Sequence, residues 1–472
     1  MIVGSRVFDQ DTLVGISALP IDADSDYDDP MMSQAHPSTS PHAESWVFGA
    51  NNPDLGLPLQ HLPYCVFQSI DSNQPHLGVG IGACILDLFV CAETGLFDHI
   101  PADIVTACSF PALNPLMDLG PKAWATLRSE IQALLSTSTP LSSDRRLRTE
   151  AALVTAREAI FSAPVFIPNY TDFYSSIDHA ERVGMLFRPD QPLLPNYQHV
   201  PIGYHGRTSS IVLSGTSIQR PKGQSKPVRS EAQPGFAPTT SLDYELELGL
   251  YIGQSNPLGT PIPIERASSH LFGISLLNDW SARDIQSWEY QPLGPFLGKN
   301  FATSISPWIT PISALGPFRS PAAPRLHHLA ESLPYLLCRS DQHAGNLNLI
   351  LEVFLVSLEM KKKSIAPVRL SRVCARDLYW TPAQLIAHHT SNGCNLQVGD
   401  LLATGTISGP DHASAGCLLE LTSNGTQPIT LPTGESRAFL VDGDEVILRG
   451  YGEASGHPRI ILGECRGTIH SG

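Results

Sequence analysis

The stretch from residue 242 to residue 252, LDYELELGLYI, alternates between apolar and mostly acidic positions. Successive side chains of a β-strand point to opposite faces, so this pattern predicts a strand. One face would carry apolar residues and the other would carry Asp243, Glu245 and Glu247. Glu245 and Glu247 would then point the same way, with Cα atoms roughly 6.5–7 Å apart, and both could reach one hard cation. An E-x-E pair alone is more typical of a polar surface strand.

A second acidic position follows the apolar run from Leu271 to Leu277. The next residues, DWSARDIQSWEY, contain no Gly or Pro, which predicts a helix that opens directly after a buried strand. Four residues would share one face of that helix: Asp279, Arg283, Gln286 and Tyr290. The alternative is an ordinary Asp–Arg pair on a solvated helix, worth a few tenths of a kcal/mol. The helix is instead predicted to form one wall of a site, because it carries Trp280 and Trp288 and is followed by the apolar PLGPFLGK.

The chain before residue 164 divides into an extension and a small module. Residues 1–44 are rich in Asp, Ser and Pro, which predicts a disordered N-terminal extension. YCVFQSI and HLGVGIGACILDLFV predict paired strands, and residues 121–135 and 143–160 predict helices, the first with Pro near its start. We therefore assign 45–163 to an N-terminal domain with a helical connector, and 164–472 to a larger domain.

The larger domain carries several further signals. Asp172 and His179 lie in YTDFYSSIDHAERVGMLFR, where either residue alone could be structural. LNLILEVFLVSLEM predicts a strand, and Thr381-Pro-Ala-Gln384 predicts a capped helix that reaches His389. The segment GDLLATGTISGP predicts a strand that enters a Gly-rich turn, and Glu420 follows it.

Composition bounds the function classes. A chain of 472 residues with 42% hydrophobic and 16% charged residues can bury sizeable cores. The 40 Pro and 37 Gly favour a β-rich α+β architecture over a helical bundle. A net charge of −15 disfavours nucleic acid and anionic lipid surfaces as partners.

The spacing of the cysteines and the hydropathy of the chain indicate the cellular compartment of the protein. The nine cysteines are dispersed and never spaced as CxxC, so they indicate neither a zinc site nor a disulfide framework. We interpret them as reduced thiols of a cytoplasmic protein. No secretory signal is visible at the N-terminus, and the most apolar window, residues 79–90, is too short to span a bilayer.

Six blocks of the sequence resemble the fumarylacetoacetate hydrolase family: YTDFYSS, PIGYHGR, DYELELG, NDWSARDIQSWEYQPLGPFLGK, NGCNLQVGDLLATGTISGP and LVDGDEVILRGY. The resemblance runs from about Trp46 to the C-terminus and is weak in several intervening segments. It implies a small SH3-like barrel followed by a mixed β-roll catalytic domain, a homodimer and a divalent cation. The implied reaction is hydrolysis of a carbon–carbon bond in the diketo acid 4-fumarylacetoacetate, the last step of tyrosine breakdown.

The resemblance also implies roles for individual residues. The metal ligands would be Asp172, Glu245, Glu247 and Asp279, an all-oxygen set that suits Mg²⁺ or Ca²⁺, or Mn²⁺, better than Zn²⁺. Lys299 and Thr303 match positions near the metal, with Lys299 interpreted as a partner of carboxylates. His179 would be the base, Glu420 its orienting carboxylate, and Arg283, Gln286 and Lys299 would stabilise an oxyanion. Substrate contacts would come from Tyr174, Arg188, Tyr204, Gln286, Tyr290 and Thr406.

Two other readings remain open at this point. A related acylpyruvate hydrolase, decarboxylase or hydratase would keep the carboxylate site, but it need not keep the spacing between Asp172 and His179 or between Thr406 and Glu420. A catalytically inactive ligand-binding relative would be indicated by a substitution at a metal or base position. None of the positions carried over from the family is substituted.

Overall fold

The computed structural model describes residues 40–69, 74–227, 233–325 and 331–472. These residues belong to one compact unit. Most of the expected N-terminal extension, residues 1–39, lies outside the described residues. Residues 40–44 contact the folded part, since the Glu44 carbonyl accepts a hydrogen bond from the Thr137 N–H at 2.9 Å.

The N-terminal part contains a five-stranded antiparallel sheet in the order β4-β3-β2-β1-β5. Its strands are Tyr64–Gln68 (β1), His76–Ile81 (β2), Cys84–Asp87 (β3), Leu153–Thr155 (β4) and Ile160–Ser162 (β5). The predicted pairing of the first two strands is confirmed, with Tyr64 opposite Val79. A module built on a five-stranded sheet therefore lies N-terminal to the larger region.

Five helices accompany this sheet: Leu88–Glu93 (α1), Ala102–Cys108 (α2), Asn114–Asp118 (α3), Pro121–Leu135 (α4) and Ser143–Ala151 (α5). The helix predicted at 121–135 is confirmed. Two other predictions were wrong at their ends. Residues 88–90 belong to α1 rather than to a strand, because Asp87 accepts a hydrogen bond from the Val90 N–H and caps the helix. The helix predicted at 143–160 ends at Ala151, because β4 and β5 add to the two edges of the sheet.

The larger region contains many short strands: Tyr170–Phe173 (β6), Gly203–His205 (β7), Ile211–Leu213 (β8), Ile218–Gln219 (β9), Lys222–Ser225 (β10), Gly235–Pro238 (β11), Leu242–Asp243 (β12), Leu246–Ile252 (β13), Leu271–Asp279 (β14), Ser281–Ala282 (β15), Thr303–Ile305 (β16), Thr310–Pro311 (β17), Arg319–Ser320 (β18), Asn346–Leu347 (β19), Leu349–Val356 (β20), Val368–Cys374 (β21), Leu401–Ala403 (β22), Ile429–Thr430 (β23), Ser436–Arg437 (β24), Glu445–Gly452 (β25) and Ile460–His470 (β26). Its α-helices are Ile177–Phe187 (α6), Ile264–His270 (α7), Arg283–Glu289 (α8), Arg339–Ala344 (α9), Leu358–Lys362 (α10), Pro382–Thr390 (α11) and Leu418–Leu421 (α12).

Two sheets dominate this region. One is mixed, runs in the order β7-β6-β22-β13-β14-β16-β8, and has β17 attached to β14. The other runs β21-β20-β25-β26-β9. They meet where β14 contacts β25 and β26, and a large core that includes Trp280, Leu276 and Leu462 lies between them. The predicted β-rich α+β fold class is therefore confirmed.

A second core joins the N-terminal module to the larger region. Trp124 of α4 packs edge-on against Phe272 of β14, with ring centroids 5.0 Å apart, and Tyr64 of β1 lies 5.5 Å from the same ring. Tyr251 and Leu401 complete this shared cluster. The shared burial explains why the described residues form one compact unit.

Two predictions were wrong in part: the strand over residues 242–252 and the helix that opens at Asp279. The strand expected over 242–252 is interrupted at Tyr244 and Glu245, because β12 pairs with β15 while β13 pairs with β14. The helix expected from Asp279 begins instead at Arg283. Asp279 remains in β14 because it pairs with Thr303 of β16, so sheet pairing overrides the local helix signal.

The described residues include no helix that is both long and apolar enough to cross a membrane.

Candidate active site

Four carboxylates converge on the mixed sheet, in which β22 separates β6 from the adjacent strands β13 and β14. Asp172 lies in β6, Glu247 in β13 and Asp279 at the end of β14, while Glu245 lies in the gap between β12 and β13. Each residue offers an oxygen that lies within 4.8 Å of an oxygen from each of the others. All four side chains are buried. The sequence-predicted ligand set is therefore brought together.

The electrostatics of this cluster fit a bound cation. Burial, with the neighbouring carboxylates, raises the pKa of Asp172 and the pKa of Glu247 well above their usual ranges. Asp172 Oδ1 and Glu247 Oε1 are buried without a hydrogen-bond partner. Buried polar atoms are seldom left unpaired, so these two oxygens are suited to ligating a metal ion.

Two basic residues balance part of the negative charge. Lys299 Nζ donates to Glu245 Oε2 and, at 2.6 Å, to Asp279 Oδ2. Arg283 Nη1 donates to Glu245 Oε1 at 2.7 Å. Burial alone would raise the pKa of Glu245, but Lys299 and Arg283 together lower it. Glu245 is thus held ionised beside two carboxyls of raised pKa.

Asp279 also accepts hydrogen bonds from Thr303, which was expected near the metal, and from Tyr204, which was expected as a substrate contact. Thr303 Oγ1 donates to Asp279 Oδ1 at 2.9 Å, and the Tyr204 hydroxyl donates to Asp279 Oδ2 at 3.0 Å. Lys299 engages carboxylates through its ammonium group, as its chemistry requires.

Asp243 does not join this cluster, contrary to the alternation that placed it on one face with Glu245 and Glu247. It accepts hydrogen bonds from Arg283 Nε at 2.9 Å and from the N–H groups of Leu418 and Leu419. The break in the strand at Tyr244 accompanies this change of direction. Asp243 instead anchors Arg283, a role that strand periodicity could not reveal.

His179 and Glu420 form a buried pair beside the carboxylates. His179 is the third residue of α6, and its N–H donates to the side chain of the N-cap residue Ser176. Its Nδ1 lies 2.7 Å from Glu420 Oε2. Burial alone would raise the pKa of Glu420, but His179 and three hydrogen bonds lower it to about 2. An ionised carboxylate only accepts hydrogen bonds, so Nδ1 carries the proton of this contact.

A cavity of about 770 Å³ connects these groups. Its wall includes the expected substrate residues: Tyr174, Arg188, Tyr204, Gln286, Tyr290 and Thr406. His179, Asp172, Glu245, Arg283 and Lys299 also line it. Arg188 Nε is buried without a hydrogen-bond partner, and Gln286 Oε1 accepts from Arg283 Nη1 at 3.2 Å. One cavity therefore reaches the carboxylate cluster through Asp172 and Glu245, and the histidine pair through His179.

Sequence reasoning missed two contributors. Ser408 Oγ donates to Glu420 Oε2 at 2.8 Å, and Arg182 Nη1 donates to Glu420 Oε1 at 3.1 Å. Arg182 lies one turn beyond His179 on α6, and helical spacing from His179 could have identified it. Ser408 lies in an irregular segment whose path the sequence does not specify.

Comparison with known proteins decides the family. A model described as "Fumarylacetoacetate (FAA) hydrolase C-terminal" matches residues 169–470, and one described as "Fumarylacetoacetase N-terminal" matches residues 60–164. The chain is 44% identical to fumarylacetoacetase of Homo sapiens over 423 residues, which covers 88% of this chain and 96% of that protein. The chain belongs to the fumarylacetoacetase family.

A second relative agrees with this assignment. Fumarylacetoacetase of Mus musculus is 46% identical over 422 residues, with 88% of this chain and 96% of that protein covered. A solved structure of a fumarylacetoacetate hydrolase from Exiguobacterium antarcticum matches with a TM-score of 0.48 and 16% identity, covering 87% of this chain and all of that one. As a member of the fumarylacetoacetase family, the chain is a hydrolase.

Proposed function

We propose that this hydrolase cleaves a carbon–carbon bond of 4-fumarylacetoacetate to give fumarate and acetoacetate, the last step of tyrosine and phenylalanine catabolism. The observation that carries the proposal is the joint presence, around one cavity, of the buried carboxylate cluster and the His179–Glu420 pair. The near full-length match to fumarylacetoacetases supports the choice of substrate.

Asp172, Glu245, Glu247 and Asp279 would hold a divalent cation, and Mg²⁺ or Ca²⁺ suits these oxygen ligands. When bound, such an ion supplies Lewis-acid polarisation of substrate oxygens. Lys299 and Thr303 would keep Asp279 in place through their hydrogen bonds.

His179 would act as the general base. Its Nε2 takes a proton from water, and the resulting hydroxide oxygen adds to the ketone carbon next to the alkene. The bond to the acetoacetate carbon then breaks, its electron pair leaves with that carbon as an enolate, and a proton returns to it. Glu420 holds the Nδ1–H tautomer and stabilises the imidazolium that forms.

Three cavity residues would stabilise the negative charge that develops on the carbonyl oxygen: Arg283, Gln286 and Lys299. Arg283 is held in place by Asp243 and Glu245, so its guanidinium is fixed before substrate binds. A charge fixed in advance needs no reorganisation during the reaction.

Recognition of the substrate would rest on other residues that line the cavity. Arg188 offers a buried Nε without a partner, which suits a substrate carboxylate. Hydroxyl groups of Tyr174, Tyr204, Tyr290 and Thr406 would provide the remaining polar contacts.

The deciding experiment is to incubate the purified protein with 4-fumarylacetoacetate and separately with acylpyruvates, with and without Mg²⁺ or Ca²⁺. We expect release of fumarate and acetoacetate that depends on the metal. Hydrolysis of acylpyruvates alone would assign a related activity instead. Substrate binding without any turnover would indicate an inactive relative.

A homodimer is also proposed. Leu293 lines the cavity and is 95% exposed, and Phe296, three residues later, is 63% exposed. A second copy of the chain would cover such apolar side chains. Sedimentation of the purified protein at twice the mass of the chain would support this, and a monomer at micromolar concentration would contradict it.

The free thiols of all nine cysteines fit the proposed cytoplasmic location.

A further inference from the structure

The orienting carboxylate of the base, Glu420, has a second charged contact besides His179. Glu420 is wholly buried, and its two oxygens receive different partners. Oε2 accepts from His179 Nδ1, from Ser408 Oγ at 2.8 Å and from the Cys417 thiol at 3.1 Å. Oε1 accepts from Arg182 Nη1 at 3.1 Å. Arg182 thus donates a hydrogen bond to the Glu420 oxygen that His179 does not contact.

Arg182 also holds the segment that follows the substrate residue Thr406. Its Nη2 donates to the backbone carbonyl of Gly409 and, at 3.1 Å, to that of Asp411. Ser408, in the same segment, donates to Glu420. One guanidinium therefore connects helix α6, the carboxylate and the wall of the cavity.

The positive charge of Arg182 beside Glu420 affects whether His179 can act as a base. Before the reaction His179 must be neutral to accept a proton, so it cannot balance the charge of a buried, ionised Glu420. A carboxylate without a compensating cation in a low-dielectric interior would draw a proton onto the pair, and a protonated histidine cannot act as a base.

The remaining groups around the pair cannot replace Arg182. Glu245, Cys417, Tyr174 and Tyr244 face it from other elements, and Asp178 faces it from α6 itself. These groups are acidic or neutral. The nearby cations Arg283 and Lys299 are committed to other carboxylates, namely Asp243, Glu245 and Asp279. Arg188 lines the same cavity, where we assign it to a substrate carboxylate.

We propose that Arg182 is a positioning residue for the reaction: by neutralising and fixing Glu420 it keeps His179 neutral and oriented until the water proton is transferred. This inference rests on the proposed function, because it assumes that His179 is the base. Arg182 is predicted to act through Glu420 without contacting substrate.

The test compares Arg182→Met and Arg182→Lys with the parent in fumarate release between pH 5.5 and 9. We expect Arg182→Met to lower kcat at pH 7 by roughly 10- to 100-fold, the range of one to two pKa units in the base. KM should stay within a few-fold. The acid limb of the kcat/KM profile should move to higher pH, so that the deficit shrinks as pH rises. Arg182→Lys, which keeps the charge, should restore most of the loss.

Arg220→Met provides a matched control. Arg220 likewise contacts one carboxylate, Asp442, and two backbone carbonyls, those of Thr239 and Leu440, away from the cavity. It should change the melting temperature without moving the pH profile. Arg182→Gln replaces Arg182→Met if that variant does not fold.

An Arg182 variant with an unmoved acid limb, or with the same deficit at every pH, would overturn the inference. Failure of the parent itself to release fumarate would instead refute the proposed function, so the two failures are distinguishable.

Discussion

Replacing Glu247 with Gln should make the metal-free protein at least as stable as the parent, but the metal-loaded protein less stable than the parent. Glu247 is wholly buried, its Oε2 accepts from the Gly405 N–H at 3.0 Å, and its Oε1 has no partner. A buried unpaired acceptor costs about 1–3 kcal/mol. Gln keeps an acceptor for Gly405 and its amide can donate to Asp172 Oδ1, which is also unpaired. We expect metal-free Glu247→Gln to be as stable as the parent or more stable, by up to about 3 kcal/mol.

The metal-loaded proteins should show the opposite order. A ligand at 100 times its Kd stabilises the folded state by about 2.7 kcal/mol, or roughly 5 °C in melting temperature at about 2 °C per kcal/mol. Glu247→Gln lacks one charged ligand, so the same concentration of Mg²⁺ or Ca²⁺ should raise its melting temperature less. Thermal melts of chelator-treated protein, with and without added metal, provide the measurement.

Asp243→Asn is the control for this experiment. Asp243 is a buried carboxylate of the same region, but Arg283 and two backbone N–H groups satisfy it. Breaking such a pair should cost about 3–5 kcal/mol whether or not metal is present. If Glu247→Gln instead destabilises the metal-free protein and keeps the full metal response, Glu247 is not a ligand.

Three further predictions concern other regions. Deleting residues 1–39 should leave the melting temperature and activity unchanged, and a large loss of either would contradict this. Burial raises the pKa of Asp341 to about 6, so ionised Asp341 lowers the stability of the fold above pH 6, and this cost disappears below about pH 4. Asp341→Asn should therefore raise the free energy of unfolding at pH 7.5 by up to about 3 kcal/mol, and raise the melting temperature with it. At pH 4 it should change neither quantity. An equal effect at both pH values would refute it. Glu420→Gln should reduce turnover less than His179→Ala does, because an amide still accepts from Nδ1, and a larger loss would contradict the assigned role.

Local signals in the sequence predicted individual elements well where short-range chemistry decides them. The helix at 121–135 begins with its Pro as expected, and Thr381 and Gln384 form the predicted capping box. The interrupted strand at 242–252 and the late helix start at Arg283 could not be predicted this way, because long-range pairing of β12 with β15 and of Asp279 with Thr303 decides them.

The residues of the candidate site were predicted mainly from the family resemblance, and only in part from local sequence patterns. The resemblance placed Asp172, Glu245, Glu247 and Asp279 together, whereas strand periodicity alone directed only Glu245 and Glu247 to one cation. Periodicity also placed Asp243 on the same face, although this carboxylate contacts Arg283 instead. The partners of Glu420 depend on how the segment after Thr406 crosses α6, which no local pattern specifies.

The most direct test of the account measures fumarate release from saturating 4-fumarylacetoacetate by the parent and by His179→Ala, both folded and loaded with the same metal. If His179 is the base, the variant should turn over roughly 10²- to 10⁴-fold more slowly. It should still bind substrate, because the carboxylate cluster and Arg188 are separate from the imidazole. Turnover within a few-fold of the parent would contradict the assignment of His179 as the base for carbon–carbon bond hydrolysis.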